Sequence, residues 1–367
     1  MNTSFNNSSL HLGSTSWPES NTNRPTLPRD KQIGKGAPIF MSFIMVIMIL
    51  ISVSGNFIVC YIVYRKPTMR SGINLLLANL ALSDLLLSVI SMPMAIILLN
   101  KQQLKVDQLT CNIGAIFFYK FQTEKILLLV AISIDRYFII VRRKDNLNTF
   151  RAKIISGITW LLSLLLTLPP ILGFGHYFYY KPQCILGTRV LSNTDKTFVF
   201  IFESLSGFLP CLVIVVSYSL ILRTVRRNCF RVQNHPPVNP TAMHRKGKMF
   251  IDYSYKTRTF TTIAMLSIVY MLCVLPLKIV ETSLALTGKE TSSSLILGVL
   301  WLSYGHAALN PVIYTIRIKK FREACVDALP KPCLMIPKFM PRKTRRRIRP
   351  YALYEVGKTP AVLTTVV

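Results

Sequence analysis

An all-α membrane protein, a seven-transmembrane helix bundle with a short amphipathic helix after the last span, is the fold class that three features of this sequence predict. Of its 367 residues, 51% are hydrophobic and only 16% charged, and mean hydropathy is +0.41, too apolar for a chain dissolved in water. The apolar residues fall in runs of about 20 residues or more, long enough to cross ~30 Å of hydrocarbon, at 38–64, 73–99, 113–141, 154–174, 198–222, 260–286 and 294–316. The 44 basic and 15 acidic residues, net +29, are also unevenly distributed: the basic excess gathers in alternate connections.

The chain divides into an N-terminal segment (1–37), the bundle (38–316), an amphipathic helix (317–330) and a basic tail (331–367). The first segment is polar and lacks the charged-then-apolar start of a cleaved signal, so the first run is expected to serve as an uncleaved anchor. Sequons at Asn2, Asn6 and Asn7 fit glycosylation on the outer side, although a segment rich in Asn and Ser also produces them by chance. The connections after runs one, three and five and the tail carry +3, +4, +8 and +10. The remaining outer segments carry about +5 together, so the positive-inside rule places the tail in the cytoplasm and the N-terminus outside a plasma membrane. Located in this way, the charge implies attraction of Lys343 to Arg349 to anionic lipid, with no nucleic-acid partner.

Of eight cysteines, only Cys111, at the outer end of run three, and Cys184, between runs four and five, face an oxidising compartment, and one disulfide between them is expected. Cys60, Cys211 and Cys273 read as small core residues. No pair has zinc-ligand spacing, and neither a metal nor a cofactor is expected.

The remaining signals are polar or helix-bending residues inside apolar runs. Run one holds Gly55-Asn56 and run two holds Asp84, a mid-membrane carboxylate that costs a few kcal/mol and so marks a partner or an ion. Run three ends in Asp135-Arg136-Tyr137, where the acid can hold the guanidinium and release it to an incoming partner. Run four carries Trp160, run five Pro210 with Tyr218, and run six Pro276. Run seven ends in Asn310-Pro311-Val312-Ile313-Tyr314. There proline frees a backbone carbonyl that Asn310 is placed to satisfy, giving a helix able to change its bend. A single proline in a membrane helix is often only a packing kink; this set, in this order, is more specific.

From about Gly55 to Phe321 the sequence resembles the rhodopsin-like, or class A, G-protein-coupled receptors, through GN, LALSD, the Cys111 and Cys184 pair, DRY, Trp160, the prolines of runs five and six, and NPVIY. The segments KTRTFTTI, RIKKFREACVDALPK and KTRRRIRPYALY are similar to those of a small orphan group once proposed to answer lysophospholipids. The resemblance implies signalling to a heterotrimeric G protein that inserts beside Arg136, Tyr218 and Tyr314, with Asp135, Tyr137, Asn310 and Pro311 in the switch.

Three departures from the family pattern stand out. Where members usually place a tryptophan before the proline of run six, this chain has Val274. Near the inner start of that run it has Lys256 and Arg258 rather than an acid that would hold Arg136, which implies a low barrier to activation and appreciable ligand-independent signalling. Lys125 lies about three turns before Arg136 on the same inward stripe, where members carry a small hydroxyl residue beside a sodium ion on the aspartate matching Asp84. An Asp84–Lys125 ion pair in place of the sodium site is therefore expected. The alternative is another acid such as Glu124, which is better spaced to meet Lys120 at i, i+4.

In the outer half, Tyr119, Gln122, Glu203, Lys278, Glu281 and Tyr304 are ligand-binding candidates, suited to a polar or zwitterionic molecule such as a lysophospholipid. Lys278 can hold a phosphate, or be satisfied by Glu281 or Glu203, or snorkel to the interface. His306 reads as a satisfied interior histidine. Retinal is disfavoured, because run seven has no lysine for a Schiff base. Past run seven, Lys319 to Leu329 alternates apolar and charged residues in the manner of a membrane-surface helix. Cys325 and Cys333 are palmitoylation candidates, and Thr365-Val366-Val367 fits a PDZ groove. The rival readings are a decoy or trafficking receptor without coupling, a transporter, and an intramembrane enzyme. No internal repeat supports the transporter, and neither HExxH nor GxSxG supports an enzyme.

Overall fold

A computed structural model describes residues 36–100, 108–180, 183–186, 192–234, 240–288, 291–317 and Arg322. Asn2, Asn6, Asn7, Cys325, Cys333, Val367 and the basic tail lie outside the described residues, as does nearly all of the amphipathic segment expected over 317–330. The described helices are α1 (Gly36–Arg65), α2 (Gly72–Asn100), α3 (Gln108–Ile140), α4 (Thr149–Thr167), α5 (193–234), α6 (Pro240–Thr287) and α7 (Ser293–Arg317). Between α4 and α5 an antiparallel hairpin, β1 (Tyr177–Tyr180) and β2 (Gln183–Leu186), pairs Tyr177 with Leu186. The Cys111–Cys184 disulfide anchors β2 to the outer end of α3, with a Cα–Cα separation of 5.4 Å.

By length and composition six described helices are apolar enough to cross a membrane. The exception is α3, which carries Lys120, Glu124, Lys125, Asp135 and Arg136. A helix this charged is tolerated in hydrocarbon only where the bundle surrounds it, and Glu124 and Lys125 are fully buried. α7 is also interior, with 67% of its membrane window buried, whereas only 22% of the α1 window is. The outer faces of the helices expose Phe40, Leu50, Leu161, Leu212 and Leu272, side chains that lipid tails solvate.

Helix ends differ from the apolar runs for local reasons. α4 stops at Thr167, short of residue 174, because Pro169 and Pro170 cannot continue it; they turn into a 3₁₀ segment closed by Gly173 at φ 85°. α5 starts five residues ahead of its apolar run because Ser192 and Asp195 form a reciprocal capping box, with backbone N–H to side-chain oxygen distances of 3.2 and 3.1 Å. α6 begins twenty residues ahead of its run, so its helix continues well past the apolar stretch. Proline also explains two π turns, at Leu87–Ser91 and Ser204–Phe208, which precede Pro93 and Pro210. In each, the residue four before the proline lies within the wide turn, which makes room for the ring.

α1 and α7 come closest at Gly55. A Cβ on Gly55 would stand 2.5 Å from Pro311 Cγ, and neither a rigid ring nor a helix backbone can yield that much. Gly55→Ala is therefore expected to cost about 1–3 kcal/mol, as overpacking does, and to lower the unfolding midpoint of the detergent-solubilised protein by several degrees. An unchanged midpoint would show that α1 can move away from Pro311 freely.

Candidate functional site

Polar residues on five helices converge at mid-bundle. Asp84 of α2 and Lys125 of α3, both fully buried, form an ion pair through Oδ1 and Nζ. Asn310 of α7 donates to the other carboxylate oxygen at 2.7 Å, and His306 Nε2 stands 3.7 Å from Oδ1. Ser88, one turn on from Asp84 along α2, donates to the Asp84 carbonyl at 2.7 Å and meets Ser52 Oγ of α1 at 2.6 Å. From α6, the Tyr270 ring lies 5.6 Å from Lys125 Nζ, edge-on to His306, while its hydroxyl donates to the Gln122 carbonyl at 2.8 Å. Taking two charges out of water costs several kcal/mol each, and only close pairing with further hydrogen bonds offsets that cost.

The carbonyl that Pro311 frees, four residues back at Ala307, is met by a residue other than the one expected. Asn56 of α1 donates to it at 3.1 Å while also donating to Ser52. Asn310 is turned to Asp84 instead. Gly55 and Asn56 thus act together: the first lets α1 approach the proline, and the second satisfies the acceptor that the proline leaves.

Toward the outer end, that of the hairpin, a second cluster is sealed. Lys278 Nζ lies 3.1–3.2 Å from both Glu203 oxygens and donates to Ser206 at 3.2 Å. Glu281 accepts instead from the Tyr119 hydroxyl, which itself accepts from the Leu186 N–H of β2 at 2.9 Å. Lys278 is 3% exposed, so it does not snorkel, and its acid is Glu203 across the helices rather than Glu281 along its own. Two carboxyls and one ammonium leave one negative charge without a cation among the described residues, balanced by a shared proton or by an arriving cationic group. Gln122 donates to the Ser303 carbonyl at 3.3 Å, and buried Tyr304 packs on Phe118.

At the inner end, Arg136 is held by the neighbouring Asp135, through Nη2 and, at 2.9 Å, through Nε. Tyr137 packs edge-on against Phe138. Tyr218 shares a hydrogen bond of 3.1 Å with Ser267 of α6, and Tyr314 is buried. Val274, where an aromatic was missing, is also buried.

The alternative acid for Lys125 has other partners. Glu124 faces α4 and accepts from Thr159 and Ser163 at 2.8 and 3.1 Å; Lys120 lies 3.7 Å above the Trp160 ring, and Trp160 donates to Asn79. Sequence reading missed the parts played by Ser52, Ser88, Thr159, Ser163 and Tyr270. Small hydroxyls recurring at helical spacing opposite a charge were the available signal. Among the described residues, no group of three or more His, Cys, Asp or Glu side chains gathers as metal ligands.

Residues 55–314 match the family of the 7 transmembrane receptor (rhodopsin family). The chain is 39% identical over 350 residues to the high-affinity lysophosphatidic acid receptor of Xenopus laevis, covering 91% of this chain and 94% of that one. It is 36% identical to probable G-protein coupled receptor 63 of Homo sapiens, over 96% of this chain and 87% of the relative. Squid rhodopsin superposes with a TM-score of 0.73 at 22% identity, covering 84% of this chain and 91% of that structure, a likeness of fold.

Cutting either member of the central ion pair strands the other charge. Asp84→Asn and Lys125→Met are each expected to destabilise by about 3–5 kcal/mol, and the double variant by clearly less than their sum. Thermal unfolding of the four purified forms measures this; strict additivity would mean that the two groups do not depend on each other.

Proposed function

Because the chain belongs to the rhodopsin family of seven-transmembrane receptors, we propose that it carries a signal from outside the cell to a heterotrimeric G protein through the junction at Asp84. It is a multi-pass membrane protein and a receptor rather than an enzyme. The observation carrying the reading is that one buried carboxylate joins α2, α3 and α7 directly beside Pro311, where α7 lacks a backbone hydrogen bond. Breaking or shifting these contacts lets the inner half of α7 move. The G protein then meets Arg136, released from Asp135, together with Tyr137, Tyr218 and Tyr314.

The N-terminus lies outside the plasma membrane, glycosylated at Asn2, Asn6 and Asn7, and the tail lies in the cytoplasm. This orientation rests on the loop charges. The tail meets anionic lipid, is palmitoylated at Cys325 and Cys333, and offers Val367 to a PDZ domain. The ligand reaches Tyr119, Gln122, Glu203, Lys278, Glu281 and Tyr304. With two carboxyls to one ammonium there, a zwitterionic or cationic headgroup can take the place of the shared proton. A lysophospholipid phosphate must displace Glu203 to reach Lys278. With Val274 in α6 and basic residues in place of an acid near Arg136, basal activity is high.

A basal coupling screen across G-protein classes, at matched surface expression, is expected to give signal above empty vector in at least one class, abolished by Arg136→Ala. No signal in any class would leave a decoy or trafficking receptor as the reading. Since the ammonium of Lys125 replaces a cation at Asp84, exchanging sodium for potassium at constant ionic strength is expected to leave the unfolding midpoint unchanged. A sodium-dependent rise would overturn that replacement.

A further inference from the structure

The early end of α4 leaves the outer turns of α5 without α4 beside them. The result is a groove of about 550 Å³ between the two helices, within the range of small-molecule sites. Leu165, Leu172 and Phe174 form the α4 side, and all three are more than half exposed. Phe198, Ile201 and Phe202 form the α5 side, and Phe198 and Phe202 are buried. Toward the first turns of α5 the lining becomes polar, with Asn193, Thr194 and Thr197, and among the described residues no lining side chain is charged. The groove therefore runs from neutral hydrogen-bonding groups at the outer margin of the membrane to hydrocarbon-like walls deeper in.

The surroundings define the occupant. Lipid tails already cover every outward face, so burying one more chain in apolar walls gains little over the bilayer itself. Preference for one lipid must come from the concave shape and from the polar rim. The shape suits one flexible chain and the rim suits a neutral head able to donate and accept hydrogen bonds. We propose that the α4–α5 groove is a binding site, entered sideways from the membrane, for a single-chain lipid with an uncharged polyol or amide head, such as a monoacylglycerol. A phosphate head finds no cation among the described residues of the lining.

The floor of the groove is also a wall of the outer polar cluster. The Phe202 ring lies 4.6 Å from Lys278 Nζ and 5.5 Å from the Tyr119 ring, and the π turn of α5 begins two residues further on. A chain seated against Phe198 and Phe202 thus touches the far side of the groups proposed to hold the ligand. The groove and the polar cluster share this wall, yet lipid binding in the groove does not depend on coupling to any G protein.

The test uses the full-length protein in phosphatidylcholine nanodiscs, with two photoreactive probes of equal chain length: a diazirine monoacylglycerol and a diazirine lysophosphatidate. Labelled peptides are mapped by mass spectrometry for the wild type, for Ile201→Trp and Leu165→Trp, which fill the groove, and for Leu272→Trp on the lipid face of α6. The expected result is monoacylglycerol labelling concentrated in residues 165–201. It should fall about tenfold in each groove variant, equivalent to ~1.4 kcal/mol of lost affinity, and be unchanged in Leu272→Trp. Lysophosphatidate should label the same peptides several-fold less. Labelling spread evenly over α1, α4 and α6 would mean bulk lipid only and overturn the site. Equal labelling by both probes would overturn the neutral-head selectivity. Because two separate variants fill the groove, misfolding of one, detected by loss of a monodisperse peak, leaves the other to decide.

Discussion

Hydrocarbon supplies no water, and that absence governs this bundle: each charge or freed backbone group inside it must find a protein partner. Asp84 is where the constraint is tightest. Its carboxylate takes an ammonium from α3 and an amide from α7, and its own carbonyl takes a hydroxyl whose oxygen also meets α1. Such a junction contributes little net stability, since desolvation offsets most of the attraction. It does specify one arrangement of four helices, because a displaced helix would leave a charge alone in a medium that cannot solvate it.

Proline poses the same problem in backbone form, and the fold solves it in two ways. In α2 and α5 the helix widens locally before Pro93 and Pro210, a solution within one element. In α7 the helix stays regular and a neighbour intervenes, with Asn56 donating to the Ala307 carbonyl. The second solution makes the bend of α7 depend on the position of α1, and Gly55 on the same helix sets how near α1 comes. The bend of α7 is thus tied to contacts supplied by another helix.

The outer cluster applies the rule incompletely. Lys278 is satisfied by Glu203 and Ser206, and Tyr119 links Glu281 to the backbone of β2. The disulfide that anchors β2 to α3 therefore also fixes a hydrogen-bond partner for Tyr119. Two carboxyls here meet one ammonium among the described residues, so the second depends on a shared proton and on the Tyr119 hydroxyl. The inner Arg136, held by its sequence neighbour, has its restraint built into one helix.

Hydropathy and loop charge were enough to read seven helices, because span length and charge asymmetry are set by the bilayer and belong to the chain alone. The Cys111–Cys184 pairing was legible for a similar reason: compartment chemistry leaves few choices. Spacing along α3 also placed Lys125 at the depth of Asp84. Helix ends at Thr167 and Asn193 were harder, since proline and capping chemistry override apolarity there. Only the assembled bundle decided that Asn56 rather than Asn310 meets the freed carbonyl, that Lys278 takes Glu203 and Tyr119 takes Glu281, and that α4 ends early enough to open a groove beside α5. Each of these depends on which helix faces which and at what height, quantities that no single helical period contains.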